Sequence, residues 1–203
     1  MSDSLEHTRQ SLRFPGYDYS IEGYYFITIC TDQHFYHLGA ILNDQMVLKE
    51  IGIVARKEWF KLPIRFPQIQ PGPFCVMPNH IHGIIIMSNS DLPSCPSTST
   101  FTSSSSSFSP SLDETIQQKE GRREKVTVGD IVGAYKSLVM KACLAEHKVK
   151  FASGSEVPLL GKIWQRNYYE HIIRTQESYD KIAAYIITNP QNWVKDKFYS
   201  KFE

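Results

Sequence analysis

VMPNHIHGIIIM, residues Val76–Met87, decides how this chain is read. The apolar run Ile81–Met87 reads as a strand, separated by the turn Met77-Pro78-Asn79 from a shorter strand over Phe74–Val76. His80 and His82 stand at its mouth. In a strand, residues i and i+2 face the same side, so both imidazoles project together while Ile81 enters the opposite face. Two neighbouring neutral imidazoles form half of a divalent-cation site. Two surface histidines at the start of a strand have the same pattern, but the turn before them is where functional sites gather.

Working outward, Tyr24–Cys30 (YYFITIC) is aromatic and β-branched and reads as a strand. Leu38–Leu48 reads as strand, turn and strand, with Asn43-Asp44 at the turn. Glu50–Leu62 has Ile51, Ala55, Trp59 and Leu62 on one helical stripe and ends at Pro63. Val128–Glu146 repeats at helical spacing, with Thr127 as N-cap and Asp130 three residues on. Ser178–Thr188 is a further helix stopped by Asn189-Pro190. Strands and helices mixed in this order predict an α+β sandwich with an antiparallel sheet.

The 203 residues fit one domain with an insertion. From Ser94 to Ser111, 13 of 18 residues are Ser or Thr, so roughly 88–123 reads as a flexible insertion rather than part of the core. No apolar run is long enough for a bilayer, and the first residues lack the apolar centre of a secretory signal. Four widely spaced cysteines form no C-x-x-C pair, which predicts reduced thiols and a cytoplasmic setting. The formal net charge of +1 hides an asymmetry. Residues 1–112 carry seven Lys+Arg against nine Asp+Glu, leaving 15 against 12 for 113–203, and 119–150 alone has eight against four. Local potential, not the total, steers a polyanion, although an ordinary solvated helix face gives the same count.

Two further blocks carry chemistry-bearing residues. Tyr185 and Asn189 are four apart on a predicted helix and share a face. Together they offer a phenol nucleophile and an amide oxygen, or else a core residue and a simple C-cap. The block Ile163–Arg174 (IWQRNYYEHIIR) packs aromatics, bases and amides closely enough to stack on nucleobases and touch phosphates. Equally, Trp164 and Tyr169 would serve as core anchors, with Glu170 and Arg174 as an ion pair.

VMPNHIHGIII (Val76–Ile86), GDIVGAYKSLV (Gly129–Val139), IWQRNYYEHIIR and YIITNP (Tyr185–Pro190) follow one another in order. With the opening RFPGYDYS (Arg13–Ser20) and YYFITICT (Tyr24–Thr31), the combination resembles the single-tyrosine His-hydrophobic-His (HUH) transposases. Within these it is most similar to the REP-associated tyrosine transposase branch, over roughly residues 12–195. The resemblance implies a ferredoxin-like α+β sandwich, an antiparallel sheet with helices on one face, and a tyrosine helix packed across the His strand. It implies His80, His82 and Asn189 as ligands of a divalent metal, Mg²⁺ or Mn²⁺, and Tyr185 as nucleophile. Lys136 matches a lysine common in these relatives and is expected at a phosphate, with Arg166, Arg174 and Trp164 as further DNA contacts. The implied activity cuts single-stranded DNA beside hairpins, leaving a 5′-phosphotyrosine bond and a free 3′-OH.

The residue types suit that chemistry. A phenol with a reference pKa of ~10 is a poor nucleophile at neutral pH, and a cation at the phosphate stabilises developing charge. A phosphotyrosine retains the bond energy, so strands can be rejoined without ATP. No carboxylate is visibly placed to deprotonate Tyr185. The expected partner is single-stranded or hairpin DNA, with no membrane, in a monomer or homodimer that is cytoplasmic and nucleoid-associated when bound. Two other readings share these residues: a non-catalytic or domesticated binder of repeat hairpins, and a rolling-circle type nicking enzyme. The second usually carries Lys three or four residues after its Tyr, where this chain has Thr188 and Asn189. A histidine-triad hydrolase needs a third alternating His, and position 84 is Ile.

Overall fold

The structure is a computed structural model that describes residues 16–88, 125–154 and 161–199. The insertion expected over about 88–123 lies, apart from Ser88, outside the described residues. Among the described residues, six strands and four α-helices follow in the order β1 (Gly23–Cys30), β2 (Gly39–Leu42), β3 (Gln45–Leu48), α1 (Glu50–Phe60), α2 (Leu62–Arg65), β4 (Ile69–Val76), β5 (His80–Met87), α3 (Val128–Ala152), β6 (Tyr169–Ile173) and α4 (Gln176–Thr188). One sheet has the order β4-β5-β1-β6, antiparallel at every pairing. Strand β1 crosses over through α1 to β4, and β5 through α3 to β6, which makes the fold ferredoxin-like. The β2–β3 hairpin turns at Asn43-Asp44, both at positive φ (50° and 59°), the conformation a two-residue hairpin requires.

Strand alternation divides the molecule. Tyr25, Ile27 and Ile29 of β1 and Ile81 and Ile85 of β5 face α1 and α3, where they join Val54, Trp59, Ile131, Tyr135 and Val139 in the main core. Burying each large apolar side chain there stabilises by about 1.5–3 kcal/mol. The Tyr135 hydroxyl donates to Ala55 O at 3.0 Å and so ties α3 to α1. The even-numbered residues of β1 and β5 face the other way, where Phe26 and Ile84 join Ile173 of β6 and Ile186 of α4 in a second cluster. Thus α1 and α3 cover one face, as expected, while α4 crosses the opposite face.

Local chemistry explains the boundaries. Thr127 accepts from Asp130 N at 3.2 Å while Asp130 accepts from Thr127 N at 2.9 Å, a full capping box. Helix α3 then runs to Ala152, beyond the expected Glu146. Pro63 sits in the first turn of α2 rather than ending all helix, because a proline there gives up no internal hydrogen bond. Strand β4 starts at Ile69, earlier than expected; Pro71 and Pro73 are accommodated because β4 is an edge strand with a register shift between Pro71 and Phe74. Burial pushes the free thiols Cys30 and Cys143 up to about 11 and Cys75 up to about 12, so they stay protonated.

Gly83 shows how closely α1 approaches β5. A Cβ at this position would lie 2.4 Å from the Trp59 ring and 3.0 Å from Phe74, which is itself stacked on Trp59 at 4.7 Å. Gly83→Ala is therefore expected to lower stability by about 1–3 kcal/mol through overpacking, read as a lower urea midpoint at unchanged slope.

Candidate active site

The register of β1 against β5 sets Thr28 opposite His82 and Cys30 opposite His80. Both imidazoles are buried on the α4 face, at 0% and 1% exposure. His80 Nδ1 lies 2.8 Å from Asn79 Oδ1, an acceptor, so Nδ1 carries the proton and Nε2 is left with its lone pair. His82 Nδ1 lies 2.8 Å from Thr28 Oγ1. The two Nε2 atoms then approach to 3.0 Å. Burial, reinforced by the charges of His34 and Lys197, pulls the His80 pKa down to about 3. Burial, together with His80, holds His82 well below its ordinary value. Both rings are neutral at pH 7, the form that ligates metals.

Helix α4 brings Tyr185 over this pair. Its hydroxyl lies 3.2 Å from His82 Nε2, while its ring packs edge-on to Phe26 at 6.3 Å and remains 41% exposed. One turn later Asn189 is buried, and its Oδ1 accepts no hydrogen bond from any described residue. The chain does not stop at Asn189-Pro190. It tightens into a 3₁₀ helix through Lys195 and turns back, which brings Asp196 and Phe198 onto the site. Asp196 Oδ2 accepts from the Tyr185 hydroxyl at 3.2 Å and from Asn189 Nδ2 at 3.2 Å. Its Oδ1 accepts from Phe198 N at 2.7 Å, which fixes the carboxylate. Burial, and next the Asp196 charge, push the Tyr185 phenol up to about 12.

Asp196 is the residue the sequence reading missed, a carboxylate within hydrogen-bond distance of the Tyr185 hydroxyl. Asp196 lies beyond the 3₁₀ helix in extended backbone, so helical spacing from Tyr185 does not reveal it.

The cluster fits a divalent cation. Ligand atoms of His80, His82 and Asp196 lie within 4.8 Å of one another. Two donors in adjacent positions of an octahedral ion, each about 2.1 Å from it, stand about 3.0 Å apart. The Nε2 pair has this spacing. Asn189 Oδ1, buried without a donor, completes a mixed imidazole and oxygen set of the kind suited to Mn²⁺ or Mg²⁺.

The expected DNA contacts fare differently. Lys136 Nζ donates to the carbonyls of Gln165, Arg166 and Asn167 at 2.9, 3.1 and 3.0 Å. An ammonium has three donors, so in this conformation none is left for a phosphate, and Lys136 acts as a clamp on the 165–167 loop. Burial pulls it down to about 8, which still leaves it mostly charged at pH 7. Trp164 is 5% exposed and packs 6.0 Å from Tyr135, so it is the core anchor and not a stacking platform. Arg166 and Arg174 are exposed. Glu170 and Arg174 do not form the helical pair considered above, since 169–173 is strand β6.

No family model matches the chain. A ferredoxin-like α+β protein with two histidines, a carboxylate and a tyrosine on one face of its sheet is the class that fold and site define. The chain is 34% identical over 193 residues to an uncharacterized protein from Haemophilus influenzae, covering 95% of this chain and 94% of the relative. At that identity over nearly the whole of both, this chain belongs to the same family as the Haemophilus protein. Among solved structures it is similar to a REP-associated tyrosine transposase bound to a REP hairpin, at 19% identity and a TM-score of 0.46, over 92% of this chain and 76% of that one. No helix among the described residues is long and apolar enough to cross a membrane.

Two outcomes follow for the metal-free and metal-loaded protein. His80 has a folded pKa of about 3, against 6.5 as its ordinary value, so between these the unfolded chain binds the proton and the folded one does not. In EDTA, stability is therefore full above pH 6.5 and falls as pH drops toward 3, by up to about 1.4 kcal/mol per pH unit for this residue, a slope that His80→Gln should flatten in denaturant titrations. Millimolar Mn²⁺ should raise the melting temperature of the wild type at pH 7.5 by several degrees and leave a His80→Ala/His82→Ala variant unmoved.

Proposed function

We propose that the chain is a metal-dependent single-stranded DNA endonuclease and strand transferase, a transposase-type enzyme that acts beside hairpins through a 5′-phosphotyrosine. One observation carries the reading: the Tyr185 hydroxyl sits within hydrogen-bond distance of both His82 Nε2 and Asp196 Oδ2, on a residue that is 41% exposed.

His80, His82, Asp196 and Asn189 would hold the divalent ion. When bound, it supplies charge stabilisation at the scissile phosphate and favours the ionised phenol. The chain's own residues account for the rest. Tyr185 Oη attacks phosphorus, a P–Oη bond forms, and the P–O3′ bond breaks. The phenolic proton passes to Asp196 Oδ2, which already accepts its hydrogen bond, and from there to the departing 3′ oxygen, which leaves as a free 3′-OH. Transfer is coupled to attack, because a phenol at about 12 does not ionise first at neutral pH. In the reverse direction a 3′-OH attacks the phosphotyrosine, and Asp196 returns the proton to the phenol.

A labelled hairpin oligonucleotide with a single-stranded flank tests this with Mn²⁺ or Mg²⁺ present. A covalent protein–DNA adduct is expected from the wild type, none from Tyr185→Phe and none in EDTA. Asp196→Asn should form it about a hundredfold more slowly. An adduct that persists in Tyr185→Phe would move the nucleophile to Tyr168, Tyr169 or Tyr179, and one that survives EDTA would remove the metal.

A further inference from the structure

The chain that returns past the 3₁₀ helix brings Asp196 and Phe198 onto Tyr185 and His80, and Lys197 between them is exposed. The Lys197 ammonium lies 4.6 Å from the centre of the Phe198 ring and 5.1 Å from that of Tyr169. Phe198 is 4.7 Å from His80, while Tyr169 lies 6.3 Å from Phe26, whose ring is 6.3 Å from Tyr185. The cation therefore stands at the mouth of the site, one ring away from His80 and two from the phenol. Other lysines are already committed. Lys61, Lys150, Lys162 and Lys181 pair with Glu58, Glu50, Asp32 and Glu177, and Lys136 donates to three carbonyls. Among the described residues, Lys197 has no carboxylate partner.

We propose that Lys197 is the anion subsite of the candidate active site, its ammonium taking a non-bridging oxygen of the scissile phosphodiester, a role that rests on the proposed function. Charge balance requires such a group. Asp196 Oδ2 accepts from the Tyr185 hydroxyl, so a carboxylate stands where a phosphodiester must arrive, and the two negative charges repel. The adjoining residue supplies the opposite charge. Ring faces suit the task of holding it. They attract a cation through their quadrupole, yet they do not consume its three N–H donors as carbonyls or a carboxylate would. Lys136 is the contrary case, its donors all spent on a loop. A phosphoryl group under attack spreads charge over its equatorial oxygens, so a cation already in place acts in the transition state as well as in binding.

The adduct assay on the labelled hairpin oligonucleotide, with Mn²⁺ present, compares Lys197→Gln and Lys197→Arg with the wild type. Lys195→Gln, which removes an exposed charge nearby, controls for net charge. At saturating DNA, Lys197→Gln should form the adduct about a hundredfold more slowly, with Lys197→Arg within about fivefold of the wild type and Lys195→Gln within about twofold. The scissile linkage, mapped from the cleaved product, is then replaced by a neutral methylphosphonate. On that DNA the wild type and Lys197→Gln should differ by less than about threefold, because the charge that the ammonium meets is gone. An undiminished gap overturns the proposal, since Lys197 then acts by positioning Asp196 or Phe198. So does full activity of Lys197→Gln, or an equal loss in Lys195→Gln. Binding is measured apart from the chemistry, by anisotropy of a labelled oligo(dT) of about twelve nucleotides across a salt series. Lys197→Gln should flatten the slope of log affinity against log salt by about 0.7, the value for one phosphate contact on a single strand, and Lys195→Gln should not. If the wild type forms no adduct, the proposed function falls and the salt slope decides the subsite: flattened, it stands; unchanged, it falls too. Thermal melting of each variant checks that the fold is intact.

Discussion

The antiparallel pairing of β1 with β5 is the constraint from which the remaining structure follows. Its register puts Tyr25, Ile27, Ile29, Ile81 and Ile85 on one side of the sheet, and Thr28, His80 and His82 on the other. A slip of one residue would send both histidines into the hydrocarbon of α1 and α3 and turn the isoleucines toward α4. The core and the candidate active site are thus two faces of a single hydrogen-bond ladder. Gly83 lies between the histidine pair and the apolar run for the same reason: the core face has no room for a side chain beneath Trp59.

Burial of a polar cluster is costly unless its groups are satisfied, and here most are satisfied by design of the local sequence. Asn79, in the turn before β5, orients His80, and its Nδ2 also donates to Phe198 O at 2.8 Å. The same turn residue therefore sets a ring tautomer and anchors the returning chain. Phe198 in turn presents its N–H to Asp196 and its ring to His80. Within the cluster, Asn189 Oδ1 is left without a donor among the described residues, beside the paired Nε2 atoms, where a cation would find it.

Much of this was legible in the sequence because it rests on short-range rules. The alternation of His80 and His82, the capping box at Thr127, the Asn43-Asp44 turn and the i, i+4 pair of Tyr185 and Asn189 each follow from a few adjacent residues. Strand β6 was not legible: Tyr169-Glu170-His171-Ile172-Ile173 has weak alternation and becomes a strand by pairing with β1. Asp196 was hidden because it lies beyond the 3₁₀ helix, in extended backbone. Lys136 was expected at a phosphate, and Trp164 was left open between a DNA contact and a core anchor, because aromatic and basic residues look alike whether they face solvent or the core. Only tertiary packing shows that three loop carbonyls claim the ammonium and that Tyr135 backs the indole.

Helix α4 follows the last strand, after the two crossovers that complete the ferredoxin-like unit. It is fastened to the sheet through a small cluster of its own around Phe26, Ile84, Ile173 and Ile186, while the large core lies on the far side. Free energies of local opening scale with the apolar contact a segment makes, so this layer can detach at a cost well below that of global unfolding. The helix that carries Tyr185 is then the least firmly held α-helix of the site, and loss of the assembled constellation on warming would precede loss of the sheet.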